Sequence, residues 1–299
     1  MSADRHLERD FKGYGCAPVD PRWPGGARIA VNFVMNIEEG AEPSVPDGDA
    51  ASETGLTEGG AGTLSGRDLA AESMFEYGSR VGYWRLVRLF EERGLPATAM
   101  ACGLALQRNP EIVEHLKTSN FDICAHGWKW EHHRGLDEAQ ERERIARTHD
   151  AIRDLVGTPP AGWYCRYGPS LNTRSLVVEH GGFLYDSDAY NDELPYWTDV
   201  SGRRHLVVPY GLAMNDAKFI RGGMATANEF FEYLRDSFDM LYREGGRMMS
   251  VGLHLRLSGH PGRAAGVERF LDHIMQFEDV WVCRRDAIAR HWHEHHVQK

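Results

Sequence analysis

The stretch ARIAVNFVMNIEEG, residues 27–40, decides the fold, because a near-continuous apolar strand runs directly into two adjacent carboxylates. A strand without polar alternation is typical of a parallel sheet whose faces are both buried. Further short apolar runs follow along the chain, and amphipathic helical patterns lie between most of them. The predicted strands cover residues 27–36, 96–103, 121–127, 162–168, 181–187, 205–211, 248–255 and 279–284.

The alternation of strands and helices predicts an α/β fold with parallel strands covered by helices. Seven or eight such units in 299 residues suggest a TIM-like barrel, since about 250 residues are typical of eight βα units. We therefore expect one domain over residues 1–299. Residues 41–69 are the exception, because they are rich in Gly, Ser, Glu and Pro and too long for an ordinary connection. Loops of this length are usually functional or disordered, so we expect a long loop on the substrate side.

Composition excludes several classes of protein. The chain has 34 Lys and Arg against 44 Asp and Glu, a net charge of −10, which argues against binding to nucleic acid or anionic membranes. No apolar run approaches the roughly 20 residues that cross a bilayer. The start, MSADRHLERD, has no apolar signal region, so we predict a cytoplasmic protein. The GxSxG, GxxxxGK[ST] and strand–GxGxxG–helix motifs of other enzyme classes are absent from the sequence.

Polar residues at the carboxyl ends of the strands are the candidates for chemistry, because parallel βα architectures place their reacting groups there. Glu38 and Glu39 follow the first strand. Removing two adjacent carboxylates from water would raise the pKa of one of them, as a general base requires. Two solvated loop acids are an equally good interpretation of this pair alone, and the sequence leaves the choice open.

Three other strand ends carry polar side chains of the same kind. His126 follows the third strand, Arg166 the fourth, and His254 ends the seventh, with Arg256 two residues further on and on the same face. A lone histidine after a buried strand is more often a satisfied core residue than a catalytic one, and none of these strand ends is decisive alone. Together with the carboxylate pair they predict an active site at one end of the barrel.

In order along the chain, these segments resemble the polysaccharide deacetylase superfamily of metal-dependent amide hydrolases, which fold as distorted, incomplete (β/α) barrels. NIEEG (36–40) stands where that family has TFDDG, whose two aspartates serve as base and metal ligand. HGWKW (126–130) stands where the family has two metal-binding histidines, and the second of these is Trp130 here. The resemblance implies that a metal, if present, is bound by Glu39 and His126. The departures imply that no cofactor is expected, with zinc or another divalent metal possible.

A narrower resemblance covers nearly the whole chain. The departures from the superfamily match its cofactor-independent bacterial allantoinase subfamily, which belongs to purine metabolism. The runs that carry this resemblance are ESMFEYGSRVGYWR (72–85), DICAHGWKW (122–130), GGFLYDSDAYNDELPYW (181–197), VPYGLAMND (208–216) and VGLHLRL (251–257). CRYGPSLNTR (165–174) departs from the subfamily pattern and borders the expected pocket, so a related cyclic amide could replace allantoin.

The resemblance implies a hydrolase that opens the ring of allantoin to give allantoate. Glu38 or Glu39 would be the general base, and the other carboxylate would orient water or substrate. His126 would polarise the attacked carbonyl, and His254 would protonate the departing ring nitrogen. The candidates for substrate contacts are Arg80, Trp130, Arg166, Tyr210 and Asn215.

Three alternatives remain open at this stage. They are a hydrolase of other cyclic imides or hydantoins, a metal-dependent deacetylase of N-acetyl sugars, and a non-catalytic binding protein on the same barrel. The expected partner is a small cyclic amide rather than a nucleic acid or a membrane. The subfamily resemblance also implies a homo-oligomer, a tetramer.

Overall fold

The computed structural model describes residues 7–59 and 65–296. Within these residues the chain forms one nine-stranded sheet. The strands are β1 (Ile29–Ile37), β2 (Ala97–Ala101), β3 (Phe121–Ala125), β4 (Gly162–Trp163), β5 (Tyr185–Asp186), β6 (Tyr196–Val200), β7 (Arg203–Val207), β8 (Arg247–His254) and β9 (Val280–Val282).

The sheet is an incomplete barrel. Its strand order is β6-β7-β5-β4-β3-β2-β1-β8, and β9 pairs with the first residues of β1. All the pairs are parallel except β6 with β7, so the predicted α/β fold with a distorted, incomplete barrel of parallel strands is confirmed. Each of the eight predicted strands is present. The sequence prediction missed β6, a largely half-buried antiparallel edge strand without an apolar run.

Helices pack against both faces of the sheet, and most of them cover its outer face. They are α1 (Leu69–Tyr77), α2 (Tyr83–Glu91), α3 (Gly103–Arg108), α4 (Pro110–Thr118), α5 (Glu138–Val156), α6 (Thr173–His180), α7 (Lys218–Arg221), α8 (Ala227–Glu244), α9 (Leu255–Ser258), α10 (Pro261–Ile274) and α11 (Arg285–His295). A single π-helical turn, Gly78–Gly82, joins α1 to α2. Such turns occur frequently at functional sites. Among the described residues no helix is long and apolar enough to span a membrane.

The alternation of side chains along β1 positions the candidate site. Phe33 and Met35 belong to the larger core cluster, which the covering helices share, whereas Val34 belongs to the cluster on the other face of the sheet. Because the side chains of a strand alternate between its two faces, Asn36 and Glu38 lie on the same face as Val34, and Glu39 lies on the same face as Phe33. The two glutamates therefore leave β1 in opposite directions.

The strand register brings the predicted residues to one level. Asn36 pairs with His254 across β1 and β8, and the His126 N–H donates to the carbonyl of Ala101 at the end of β2. The described parts of the predicted loop, residues 41–59 and 65–69, are largely irregular apart from the short 3₁₀ turn Val45–Asp47. Residues 60–64 of that loop lie outside the described residues. One domain over residues 1–299 stays a prediction.

Candidate active site

Glu38 is the centre of the site. One carboxylate oxygen, Oε1, lies 3.2 Å from Nε2 of His126 and 3.5 Å from Nε2 of His254. The other oxygen, Oε2, accepts a hydrogen bond of 2.8 Å from Arg256. The structure thus brings together three of the four predicted catalytic residues, from the ends of β1, β3 and β8. All are buried among protein groups.

Each histidine is oriented by an acceptor on its other ring nitrogen. Nδ1 of His126 lies 3.0 Å from the carbonyl oxygen of Tyr164, and the two rings stack with centroids 5.1 Å apart. Nδ1 of His254 lies 2.6 Å from Oδ1 of Asp216. Because a carbonyl and a carboxylate only accept, both Nδ1 atoms carry protons and both Nε2 atoms face Glu38.

Asp216 holds His254 through its backbone as well as its ring. Its second oxygen, Oδ2, accepts from the N–H of His254 at 2.7 Å and from the N–H of Ser258 at 3.2 Å. These bonds satisfy backbone donors at the start of the short helix α9. Sequence reasoning missed Asp216, whose only signal was its place in the run VPYGLAMND.

The charges around Glu38 and His254 separate their proton affinities. Burial alone would raise the pKa of Glu38, but the charges of His254 and Arg256 and the hydrogen bond to His126 outweigh burial and hold this pKa well below its usual value. Burial would lower the pKa of His254, but Glu38 and Asp216 more than offset it and raise this pKa. Glu38 is therefore ionised at neutral pH, and His254 keeps its second proton to higher pH than an ordinary histidine.

Glu39 occupies a different environment from Glu38. Its carboxylate accepts from the N–H of Glu38 at 3.1 Å and from the N–H and guanidinium of Arg256 at 3.3 and 3.2 Å. A Cβ atom at Gly78 would lie 2.4 Å from Glu39 Oε1, so the π-helical turn covers this carboxylate closely. Burial and the charge of Glu38, opposed by Arg256, raise the pKa of Glu39 to about 7. Glu39 thus anchors Arg256, while Glu38 faces the histidines.

Trp130 and Arg166 form a wall beside this centre. The Trp130 ring lies between two guanidinium groups, with the Cζ of Arg166 3.6 Å from the ring centroid and that of Arg256 4.8 Å from it. Arg166 also pairs with Glu53 at 2.5 Å and donates to the Trp130 carbonyl at 3.1 Å. Both predicted substrate-contact residues therefore pack against the site.

Tyr210 and Asn215 lie on the opposite side, next to the histidine partners. The amide of Asn215 donates to the Tyr210 hydroxyl at 3.1 Å, and the Tyr210 ring packs edge-on against Tyr164 with centroids 5.1 Å apart. Asn215 immediately precedes Asp216. Arg80, in contrast, is not brought to the centre. Its side chain is exposed on the π-helical turn and pairs with Glu76 at 3.5 Å.

The loop after β1 covers the site through ion pairs. Four of its acidic residues each contact a basic residue of the barrel, and the carbonyl of Leu56 accepts from Nε of Arg256 at 3.0 Å. The pairs are Asp47–Arg108, Asp49–Lys129, Glu53–Arg166 and Glu58–Arg263. A separate cavity of about 1350 Å³, between the N-terminal segment and β6, is lined by none of the predicted site residues.

The side chains present do not fit a divalent metal ion. Glu38 and Glu39 already share the positive charge of Arg256, and position 130 offers an indole in place of an imidazole. Among the residues that the structure describes, no group of three His, Cys, Asp or Glu side chains is arranged to hold a metal. Catalytic zinc sites normally use three protein ligands.

Comparison with known proteins assigns the chain to a family. The family model for polysaccharide deacetylase matches residues 67–184. A Schizosaccharomyces pombe protein named as a polysaccharide deacetylase is 38% identical over 318 residues, which cover 97% of this chain and 98% of that protein. The chain therefore belongs to the polysaccharide deacetylase family.

Two crystal structures resemble this chain over nearly its full length. A Pseudomonas aeruginosa PAO1 protein named as a polysaccharide deacetylase has a TM-score of 0.93 and 46% identity, covering 97% of this chain and 99% of that chain. PuuE allantoinase also has a TM-score of 0.93, with 45% identity and the same coverage. The chain is thus a deacetylase-like hydrolase that acts on carbon–nitrogen bonds. The tetramer and the cytoplasmic location stay predictions.

Proposed function

We propose that this chain opens the ring of a cyclic amide, with allantoin as substrate and allantoate as product. The observation that carries the proposal is the position of Glu38, between two oriented histidines and an arginine in a buried site. This arrangement supplies a base, an acid and a donor for a carbonyl oxygen, as amide hydrolysis requires. The 45% identity with PuuE allantoinase supports allantoin as the ring.

The first half of the reaction uses Glu38 and His126. Glu38 takes a proton from water, and the resulting hydroxide adds to the ring carbonyl carbon. His126 donates its Nε2–H, the proton that its contact with the Glu38 carboxylate requires, to the carbonyl oxygen as negative charge develops there. The raised pKa expected of a general base falls on Glu39, which faces Arg256, whereas Glu38 is the carboxylate that contacts both histidines. Position therefore assigns the role of base to Glu38, which is ionised and free to accept a proton. Positioned acid–base groups typically contribute ~10² to 10⁴ in rate.

The second half uses His254 and its partner Asp216. His254 donates its Nε2 proton to the ring nitrogen as the carbon–nitrogen bond breaks. The proton held by Glu38 then passes back to His254, whose Nε2 is 3.5 Å from Glu38 Oε1. Water has been added across the bond and the enzyme returns to its starting protonation. Two groups whose pKa values are pushed in opposite directions are suited to these separate roles.

Access to the site supports a small substrate. The side chains of Glu38, His126 and His254 are at most 7% exposed, so the covering loop has to move before a ligand reaches them. A small, flat five-membered ring requires less opening of this loop than a polymer does. A long sugar chain needs an open groove.

A second candidate is a metal-dependent deacetylase of N-acetyl sugars. The names of the S. pombe and P. aeruginosa relatives favour it. The side chains of the site argue against it, because they do not fit a divalent metal ion. Other cyclic imides or hydantoins remain the nearest variation on the proposed substrate, because residues 165–174 border the site.

A substrate panel tests the proposal. We expect turnover of allantoin, measured by release of allantoate, and none of N-acetylglucosamine oligomers with or without added zinc. His254→Ala is the matched inactive control, with folding checked by circular dichroism. Turnover of succinimide or hydantoin alone would replace allantoin with another ring. Zinc-dependent release of acetate would establish the deacetylase instead.

A further inference from the structure

Arg256 places a full positive charge where the two carboxylates meet. Its Nη1 atom lies 2.8 Å from Glu38 Oε2 and 3.2 Å from Glu39 Oε1. The side chain is 2% exposed, so water screens these contacts little. Without this cation, two buried carboxylates on adjacent residues would repel each other in a medium of low polarity.

Two aromatic rings and a backbone carbonyl hold the guanidinium group in place. Its Cζ atom lies 4.3 Å from the centroid of the Phe75 ring and 4.8 Å from that of Trp130, so two aromatic faces contact the cation. Nε donates to the Leu56 carbonyl. Nη2 has no hydrogen-bond partner among the described protein groups, which leaves the aromatic faces as its compensation.

The backbone that carries Arg256 is fixed as well. A Cβ atom at Gly82 would lie 2.1 Å from the carbonyl oxygen of Leu255, and one at Gly259 would lie 2.4 Å from the Cα atom of Gly82. The π-helical turn and α9 therefore touch backbone to backbone on both sides of Arg256. Such an arrangement holds the guanidinium in one place.

A divalent cation and this guanidinium would compete for the same two carboxylates. A metal ion entering here has to displace a desolvated arginine whose Nη1 contacts both carboxylates, which is unfavourable because the displaced charge has no other buried partner. The metal ion would gain His126 as a nitrogen ligand, but position 130 would offer it an indole in place of a second imidazole.

We propose that Arg256 is the resident cation of this site and occupies it in place of a metal ion. Arg256 is a positioning residue: it holds Glu38 aimed at the histidines, and it excludes divalent cations from the carboxylate pair. The part of this inference that concerns turnover rests on the proposed function. The part that concerns metal exclusion needs no substrate.

The first experiment measures cation binding without any substrate. Wild type titrated with Co²⁺, followed by calorimetry and by visible absorption, is expected to bind none at this site. Arg256→Ala is expected to bind one equivalent with Glu38, Glu39 and His126, and added guanidinium is expected to compete with it. One equivalent of Co²⁺ on wild type, lost in Glu38→Gln, would overturn the proposal. So would a folded Arg256→Ala variant that binds no Co²⁺.

The second experiment measures chemical rescue. Turnover of Arg256→Ala is expected to fall by about 100-fold and to recover at least tenfold with millimolar guanidinium, saturably, because charge-assisted bonds to both carboxylates re-form. Arg263→Ala is the matched control, since Arg263 also contacts an aromatic ring and a glutamate, Phe219 and Glu58, but lies outside the centre. Guanidinium should not raise its turnover. Equal rescue of both variants, or rescue of neither, would contradict the proposal.

A third variant covers the case in which Arg256→Ala does not fold. Arg256→Lys keeps the charge without the planar fork. It is expected to exclude Co²⁺ as wild type does. A folded Arg256→Lys variant that binds one equivalent of Co²⁺ would overturn the proposal, whichever substrate the enzyme uses.

Discussion

Arg256 and Arg285 are two buried arginines whose charges are compensated in different ways. Arg256 faces two carboxylates at the carboxyl ends of the strands. Arg285 is fully buried at the start of α11, and the described side-chain hydrogen bonds of its guanidinium all go to neutral oxygens. The acceptors are Asn32 Oδ1 at 3.3 Å, Ser250 Oγ at 2.8 Å, Ser187 Oγ at 2.8 Å, the Val208 carbonyl at 2.6 Å and the Pro209 carbonyl at 2.9 Å.

The neutral partners of Arg285 belong to strands on both sides of the open seam, the gap at which the two ends of the sheet do not join. Ser250 lies on β8, at one end of the strand order, whereas Val208 follows β7, next to the other end. The backbone ladder does not join β7 to β8, and Arg285 links them through its two terminal nitrogens. A cation paired with dipoles supports the fold, and a cation paired with titratable groups supports chemistry.

The largest loss of turnover is expected when the glutamates of the site are neutralised one at a time. Glu38→Gln keeps the size and one acceptor but removes the base, so turnover is expected to fall by ~10³ or more. Glu39→Gln is the matched neighbour, and its loss should be much smaller because Glu39 acts through Arg256. Steady-state rates on folded, purified variants decide this. Equal losses would mean that the two carboxylates do not have separate roles.

The contacts of Arg285 should respond in stability. Arg285→Met leaves several buried oxygens without a donor, so we expect the free energy of unfolding to fall by about 3 kcal/mol. Arg153→Met is the control, since Arg153 is exposed and pairs with the exposed Asp150 at 2.7 Å, a pairing worth less than about 1 kcal/mol. Urea unfolding measures both variants. If Arg285→Met is as stable as Arg153→Met, Arg285 does not hold the seam.

The last expected effect is a dependence of stability on pH. Glu39 has a pKa of about 7 in the folded chain against an ordinary value of 4.5, so between these pH values the folded state binds more protons than the unfolded state. The stability that Glu39 contributes is therefore present below about pH 4.5 and is lost as the pH rises through 7. Relative to Glu39→Gln, wild type should lose up to about 1.4 kcal/mol per pH unit in this window.

Urea unfolding of wild type and Glu39→Gln at several pH values checks this slope. Glu38 does not interfere, because its lowered pKa places its own loss of stability below its ordinary value, at more acid pH. Parallel stability curves for the two proteins would contradict a raised pKa at Glu39.

The sequence predicted the sheet better than the site. The apolar run of β1 and the strand-end residues Glu38, His126 and His254 follow from local pattern, because burial and alternation are written in neighbouring residues. Asp216 lies in a long connection without periodicity, and only the pairing of Asn215 with Gly252 places it beside His254. Arg80 matched the family run, yet its position on the π-helical turn leaves it exposed.

Two further features needed three dimensions. The choice between Glu38 and Glu39 was open in the sequence, and the alternation of β1 now sends one to the histidines and the other beneath Gly78. The sequence predicted Arg256 on the same strand face as His254, but β8 ends at His254 and Arg256 lies on α9. Its pairing with both carboxylates depended on how α9 turns away from β8.

The close contacts at Gly78, Gly82 and Gly259 limit how this sequence can vary. A methyl group at Gly78 would press on Glu39, and one at Gly82 or Gly259 would part the π-helical turn from α9. None of these glycines has a functional group of its own. Mutational constraint therefore extends from the reacting side chains to residues whose only contribution is the absence of a side chain.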